Sequence, residues 1–232
     1  MSKATEYMVR EHEVIRSMLA VLKAIASLLK EGQSVPKEHL EQLLDFLRIY
    51  SDRIHHEKEE GILIPALFGH GFHMAGGPMC SYFKDLQMMR EDLHSRIREI
   101  EARLGGIRLL IPGSEKESVY LGIPDGTLPI IEEHKLGRKL VQAMACSLND
   151  PARLTQTGPG TFVDFATDFL FLLEEHIDKE NRCLFPMADN VLTKSEQEKM
   201  LRDFEKFDRE AFASPDYSVK ERQWGELRVI YK

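Results

Sequence analysis

The chain has 232 residues, 43% hydrophobic and 30% charged, with a formal net charge of −7. This is enough for one sizeable globular domain with a substantial core, and it is not the composition of a disordered chain. The acidic balance argues against a nucleic-acid surface, which needs a basic patch, and no apolar run approaches the roughly 18–20 residues of a membrane span. Cys80, Cys146 and Cys183 lack CxxC spacing, so neither a disulfide framework nor a zinc knuckle is indicated. The N-terminus leads into a charged helical pattern without the apolar core of a signal peptide, and a cytoplasmic protein is expected.

Residues 4–31 read as an amphipathic helix whose seam is Met8, His12, Ile15, Leu19, Leu22, Ala26 and Leu29, with Gly32 as its stop. This seam puts His12 on the apolar face and directs Glu11 and Glu13 elsewhere. A second helix starts near Ser34-Val35-Pro36 and runs to about Phe68, with Leu40, Leu44, Leu47, Ser51, His55, Glu59 and Ile62 on one face. Residues 74–125 interrupt the pattern. Within them, Phe83 to Leu104 mark an inserted helix, and 107–126 read as loop. A third helix, about 127–149, aligns Ile131, His134, Arg138, Val141, Ala145 and Leu148, and Asn149-Asp150-Pro151 breaks it.

The fourth long helix, 161–190, opens on the capping pair Thr161 and Asp164. Its seam is Phe162, Ala166, Phe169, Leu173, His176, Glu180, Cys183 and Met187. A last helix, about 194–211, opens on a capping box at Thr193 and Glu196, and the tail 212–232 has no clear pattern beyond a short strand-like run at Leu227–Tyr231. The fold class expected is all-α: an up-and-down four-helix bundle over 1–210 with 74–125 inserted, a C-terminal helix, and a separate tail over 211–232.

Each bundle helix brings a histidine to its seam: His12, His55, His134 and His176. Two bring a glutamate one turn later, Glu59 and Glu180. Residues i and i+4 stand one above the other on a helix. Buried without partners, these groups would cost about 1–3 kcal/mol each; a shared metal centre removes that cost. A His/carboxylate donor set suits first-row metals such as iron or manganese. The pairs His55/Glu59 and His56/Glu60 compete for the second helix. The six-residue distance from Glu59 to Pro65 matches that from Glu180 to Pro186, so His55/Glu59 is chosen. His56 and Glu60 are then helix-flank groups or acceptors for imidazole N–H groups, a role for which Glu133 and Glu175 are also candidates. His39 and His94 read as surface residues, His70 and His73 as loop residues, and Cys183 as a small buried hydrophobe.

The segments Glu11-His12-Glu13-Val14-Ile15, His55-His56-Glu57-Lys58-Glu59-Glu60, Glu132-Glu133-His134-Lys135 and His176-Ile177-Asp178-Lys179-Glu180 resemble the hemerythrin-like proteins of the HHE cation-binding family. The resemblance covers about 5–72 and 126–210. It implies a four-helix bundle with a non-haem di-iron centre, two iron ions held by the six seam residues. It also implies a small diatomic ligand, oxygen or nitric oxide, or peroxide as the partner.

Oxygen-carrying members have a further histidine one turn from the third-helix ligand, where this chain has Ile130 and Arg138. That departure favours sensing or redox chemistry over simple carriage. An iron-handling or stress-repair protein without turnover, an interaction module with a structural metal, and a zinc hydrolase are the competing expectations. For the insertion, the expectations are that it caps the bundle, restricts access, or mediates a homodimer.

Overall fold

The computed structural model describes residues 1–70, 95, 99, 128–155, 158 and 160–232. The inserted helix expected at 83–104, the loop 107–126, His73 and His94 lie outside the described residues. Helix α1 (Lys3–Lys30) is capped by Ser2, whose hydroxyl accepts from the Thr5 N–H. It ends where Gly32 takes φ +76° and Gln33 N–H reaches back to the Leu28 carbonyl. A residue with a Cβ is strained in that left-handed conformation, so glycine suits the stop.

The second helix is built of several pieces. Helix α2 (Lys37–Phe46) passes into wide π-helical turns over Leu47–His56 and Glu59–Leu63, then into α3 (Ile64–Gly69). Helix α4 (Leu128–Ser147) is the third long element, followed by the short α5 (Pro151–Thr155), where the sequence suggested only a break. Asp150 caps α5 through its carboxylate, which accepts from the Ala152 N–H at 3.0 Å. The fourth long element is α6 (Phe162–Lys179), a π-helical stretch over Glu180–Leu184, and α7 (Phe185–Val191).

Pro65 and Pro186 sit just inside α3 and α7, directly after the π-helical stretches. Proline has no N–H for the carbonyl one turn back and its ring crowds that carbonyl. A widened turn relieves both, so the chain continues as helix past each proline.

Two more helices close the fold. Helix α8 (Lys194–Ala211) opens on the expected capping box: Thr193 Oγ1 accepts from the Glu196 N–H, and Glu196 Oε2 accepts from the Thr193 N–H at 2.8 Å. Helix α9 (Pro215–Ile230) corrects the reading of the tail. Ser214 caps it, Pro215 occupies its first turn, and the strand-like run Leu227–Tyr231 is its last turn and cap. Trp224 anchors it: the indole N–H donates to the Gln42 carbonyl at 3.1 Å, and the ring meets Phe46 edge-on at 5.2 Å.

The four long elements form a closed ring of neighbours: α1 against the second and fourth, and α4 against the second and fourth. Helix α8 lies across α1 and the second element, and α9 packs on α1 and α2. No strand occurs among the described residues, and no helix among them is long and apolar enough to cross a membrane.

The apolar core is divided in two. One cluster takes α1 from Ile15 onward, the second element up to Ile54, α4 from Leu136 and the fourth element up to Ile177. The other takes Ala4 and Met8, Leu63 onward, Ile130 and Ile131, and Leu184 onward, closed by Met200 and Phe204 of α8. Between them runs a belt of buried polar side chains, at the same level on all four elements.

Candidate metal centre

The belt contains all six histidines and glutamates singled out from the sequence. His12, His55, Glu59, His134, His176 and Glu180 are each no more than 1% exposed. Their ring nitrogens and carboxylate oxygens converge. Nε2 of His12 is 2.9 Å from Nε2 of His55, and Nε2 of His134 is 3.1 Å from Nε2 of His176. The two carboxylates lie between these pairs and face both. Glu180 directs Oε2 to His12 Nε2 at 3.1 Å and Oε1 to His176 Nε2 at 3.0 Å. Glu59 directs Oε1 to His55 Nε2 at 3.6 Å and Oε2 to His134 Nε2 at 3.5 Å.

The outer nitrogen of each of the four rings is held. His12 Nδ1 donates to Asn181 Oδ1 at 2.8 Å, His55 Nδ1 to Glu11 at 2.9 Å, His134 Nδ1 to Glu60 at 2.7 Å, and His176 Nδ1 to Glu133 at 2.8 Å. All four partners accept only at these oxygens, so each Nδ1 carries the hydrogen and each neutral ring turns an Nε2 lone pair inward. Lone pairs on neighbouring rings then oppose one another about 3 Å apart, a repulsive arrangement unless a positive charge sits among them. The four oxygens of Glu59 and Glu180 are buried without any hydrogen-bond partner. Such groups are expensive to bury, and a bound cation is the partner that satisfies them together.

Protons take the cation's place when none is bound. Burial and the neighbouring Glu180 raise the Glu59 carboxyl well above the usual range. Burial alone would lower His176, but Glu180 and Glu133 on either side of the ring outweigh it and lift it to about 9. Burial would likewise raise Glu180, yet the charge of His176 holds it well below the ordinary carboxylate value. His55 and His56 are pushed well down, first by burial and then by the rings beside them, His12 and His134 respectively.

Three readings of the sequence are corrected. His56 is not a flank residue: it is buried, both ring nitrogens lack a hydrogen-bond partner, and it lies among the inner donors. Its site reading changes because the π-helical stretch advances fewer degrees per residue than an α-helix, so His55 and His56 both reach the interior. Glu11 does not point away: it is buried and holds His55. Glu175 is exposed and holds no ring, whereas Glu133 and Glu60 do hold rings.

Outside the belt, His70 pairs with Glu196 at 2.7 Å and half-buried His39 with the Tyr231 hydroxyl at 2.7 Å. Cys183 is buried, with Sγ 3.4 Å from Met187 Sδ.

A repeated pattern carried more information than the seams did. Glu11-His12 recurs as Glu133-His134, and His55-x-x-Lys58-Glu59-Glu60 as His176-x-x-Lys179-Glu180-Asn181. In space the glutamate before each first histidine accepts from the second histidine and from its lysine. Glu11 serves His55 and Lys58, and Glu133 serves His176 and Lys179. The polar residue after each ligand-position glutamate, Glu60 or Asn181, crosses to the opposite pair's ring.

The inner atoms therefore form two groups that share Glu59: His12, His55, Glu59 and Glu180, and His56, Glu59, His134 and His176. In each, one donor atom per residue lies within 4.8 Å of the others. Tetrads of imidazole and carboxylate at this spacing are suited to divalent first-row cations. Comparison with curated proteins and with solved structures returned no match. A family model, the hemerythrin HHE cation binding domain, matches residues 3–123. With an all-α bundle, a buried His/Glu belt able to hold metal and this match, the chain belongs to the hemerythrin HHE cation-binding family, a family of metal-binding domains.

Proposed function

We propose that the chain is a non-haem di-iron protein that binds or senses oxygen, nitric oxide or peroxide. The observation that carries this reading is the placement of Glu59 and Glu180, each presenting one oxygen to each histidine set. Carboxylates so placed would hold both cations of a two-metal site. His12 and His55 hold one position, and His56, His134 and His176 hold the other. Bridging carboxylates with imidazoles favour iron over a closed structural zinc site, which takes four protein ligands around a single ion.

Bound there, a pair of irons supplies redox chemistry and an open coordination position for a small ligand. The two sets of residues that would hold the ions differ in imidazole count, two in one and three in the other. The chain's own residues then do three things. Glu11, Glu60, Glu133 and Asn181 fix the ring tautomers and directions. The two apolar clusters above and below the belt exclude water. Phe185, stacked on His12 at 5.3 Å, walls the two-histidine side.

The test is anaerobic loading with ferrous iron, metal quantification, and then titration with oxygen, nitric oxide and peroxide followed optically. Two irons per chain and a charge-transfer spectrum that responds to at least one of these ligands are expected. Stoichiometric zinc without iron would refute the reading.

A further inference from the structure

Behind His55 stands a line of buried charges that reaches outside the four-helix bundle. Lys58 is fully buried. Its ammonium contacts Oε1 of Glu11, whose other oxygen accepts from His55 Nδ1. The same ammonium donates to Oδ1 of Asp208 at 2.7 Å. Asp208 belongs to α8 and is 6% exposed, and its second oxygen accepts from the Tyr7 hydroxyl at 2.5 Å. The related line behind His176 is shorter: among the described residues Lys179 has Glu133 as its carboxylate partner within 4 Å.

We infer that Asp208, on helix α8, is a positioning residue for the metal position formed by His12 and His55, acting through Lys58, Glu11 and His55. The inference rests on the di-iron reading above. The ammonium of Lys58 stands against Glu11 and lowers the negative charge that Glu11 offers to His55. Asp208 takes part of the Lys58 charge, so Glu11 remains a strong acceptor for His55. A strong acceptor on Nδ1 fixes the ring and makes Nε2 a better donor, an effect worth about 10–100-fold in metal affinity where such partners are removed. The His134 and His176 rings have their own acceptors, Glu60 and Glu133, and the line from Asp208 runs through Lys58 and Glu11 to His55. Loss of Asp208 therefore acts on one metal position and spares the other.

The test is competition for ferrous iron between the full-length protein and a graded chelator, under anaerobic conditions, with the optical spectrum recorded at each step. Asp208→Asn keeps the size and removes the charge. It should weaken one of the two ions about 10-fold and leave the other within about threefold of wild type. The double variant Lys58→Met/Asp208→Leu removes the ammonium together with its second counter-ion. It should hold the weaker ion better than Asp208→Asn does, because Glu11 then has no competing cation.

A purely structural role would lower the melting temperature of Asp208→Asn and loosen both ions alike, whereas the positioning role weakens one ion and spares the other. If Asp208→Asn does not fold, Asp208→Ser is measured in its place: one ion weakened about 10-fold supports the inference, and both ions at wild-type affinity overturn it. Wild type that fails to bind two ions sinks the di-iron reading and this inference with it. Wild type that binds two, with Asp208→Asn unchanged, sinks the inference alone.

Discussion

His56 lies flat against His134, with ring centroids 3.9 Å apart and planes 11° from parallel. Stacking alone leaves both nitrogens of His56 buried and unpartnered, while Asp52 stands 3.5 Å from its Nδ1. The Asp52 carboxylate thus flanks the ring from the outside, and His56 lies with the inner donors. Arg138, one turn after His134, ties Asp52 to Glu60 at 2.7 and 2.8 Å. The fifth imidazole of this centre comes from the second element.

His56→Ala is therefore expected to weaken or abolish the ion beside His134 and His176 and to leave the ion beside His12 and His55. Iron per chain after desalting should fall from two towards one. Two tightly held irons in the variant would show that His56 only stacks.

Glu59→Gln separates function from stability. The carboxyl of Glu59 is raised by burial and by Glu180. A raised folded-state value contributes stability that is fully present below the ordinary carboxylate range and is lost as pH rises through the raised value. Metal-free wild type therefore gives up stability between acidic and neutral pH through this residue, and glutamine does not. Metal-free Glu59→Gln should melt higher than metal-free wild type at pH 7, by about 2–4 °C per kcal/mol regained for a chain of this size. Iron should raise the melting temperature of wild type but not of the variant. Calorimetry on both proteins, with and without iron, gives the comparison; a metal-free variant less stable than wild type would contradict the account.

How much of this was legible in the chain depended on local helix geometry. His12, His134 and His176 lie in α-helical stretches, where spacings of three and four residues keep to one face, and the seams found them. His56 was hidden by the π-helical stretch Leu47–His56, whose altered phase a seam drawn at α-helical spacing does not follow. Glu11 was missed for another reason. A seam admits one residue per turn, yet at the level of the belt α1 buries two neighbours, Glu11 and His12. Helix α9 was illegible because only Tyr217, Trp224 and Leu227 are buried along it, too sparse a set to mark a face.

Those few residues make the tail sensitive. Trp224 is 3% exposed and packs against Phe46 and Tyr217. Trp224→Ala should cost about 3–5 kcal/mol in denaturant unfolding, the range for emptying a large aromatic site. A cost below about 1 kcal/mol, the scale of an ordinary surface substitution or less, would mean that α9 does not contribute to the folded core.

Gly137 offers the opposite case, a change that should help. A Cβ there would meet Phe169 at 3.7 Å and Leu172 at 4.0 Å, which is ordinary contact. In the middle of α4 alanine is the better helix former, so Gly137→Ala should stabilise by about 0.5–1 kcal/mol. Chemical denaturation of the metal-free protein reads the change directly, and destabilisation would mean that α4 and α6 pack more tightly than these distances imply.

Glu59 and Glu180 are proposed to bridge two irons between the histidine sets. The most direct measurement is Mössbauer spectroscopy of protein loaded anaerobically with enriched ferrous iron and then oxidised, with the iron counted in the same sample. Two irons per chain and a diamagnetic ground state from coupling through the bridge are expected. One iron per chain, or two magnetically isolated ferric ions, would contradict it.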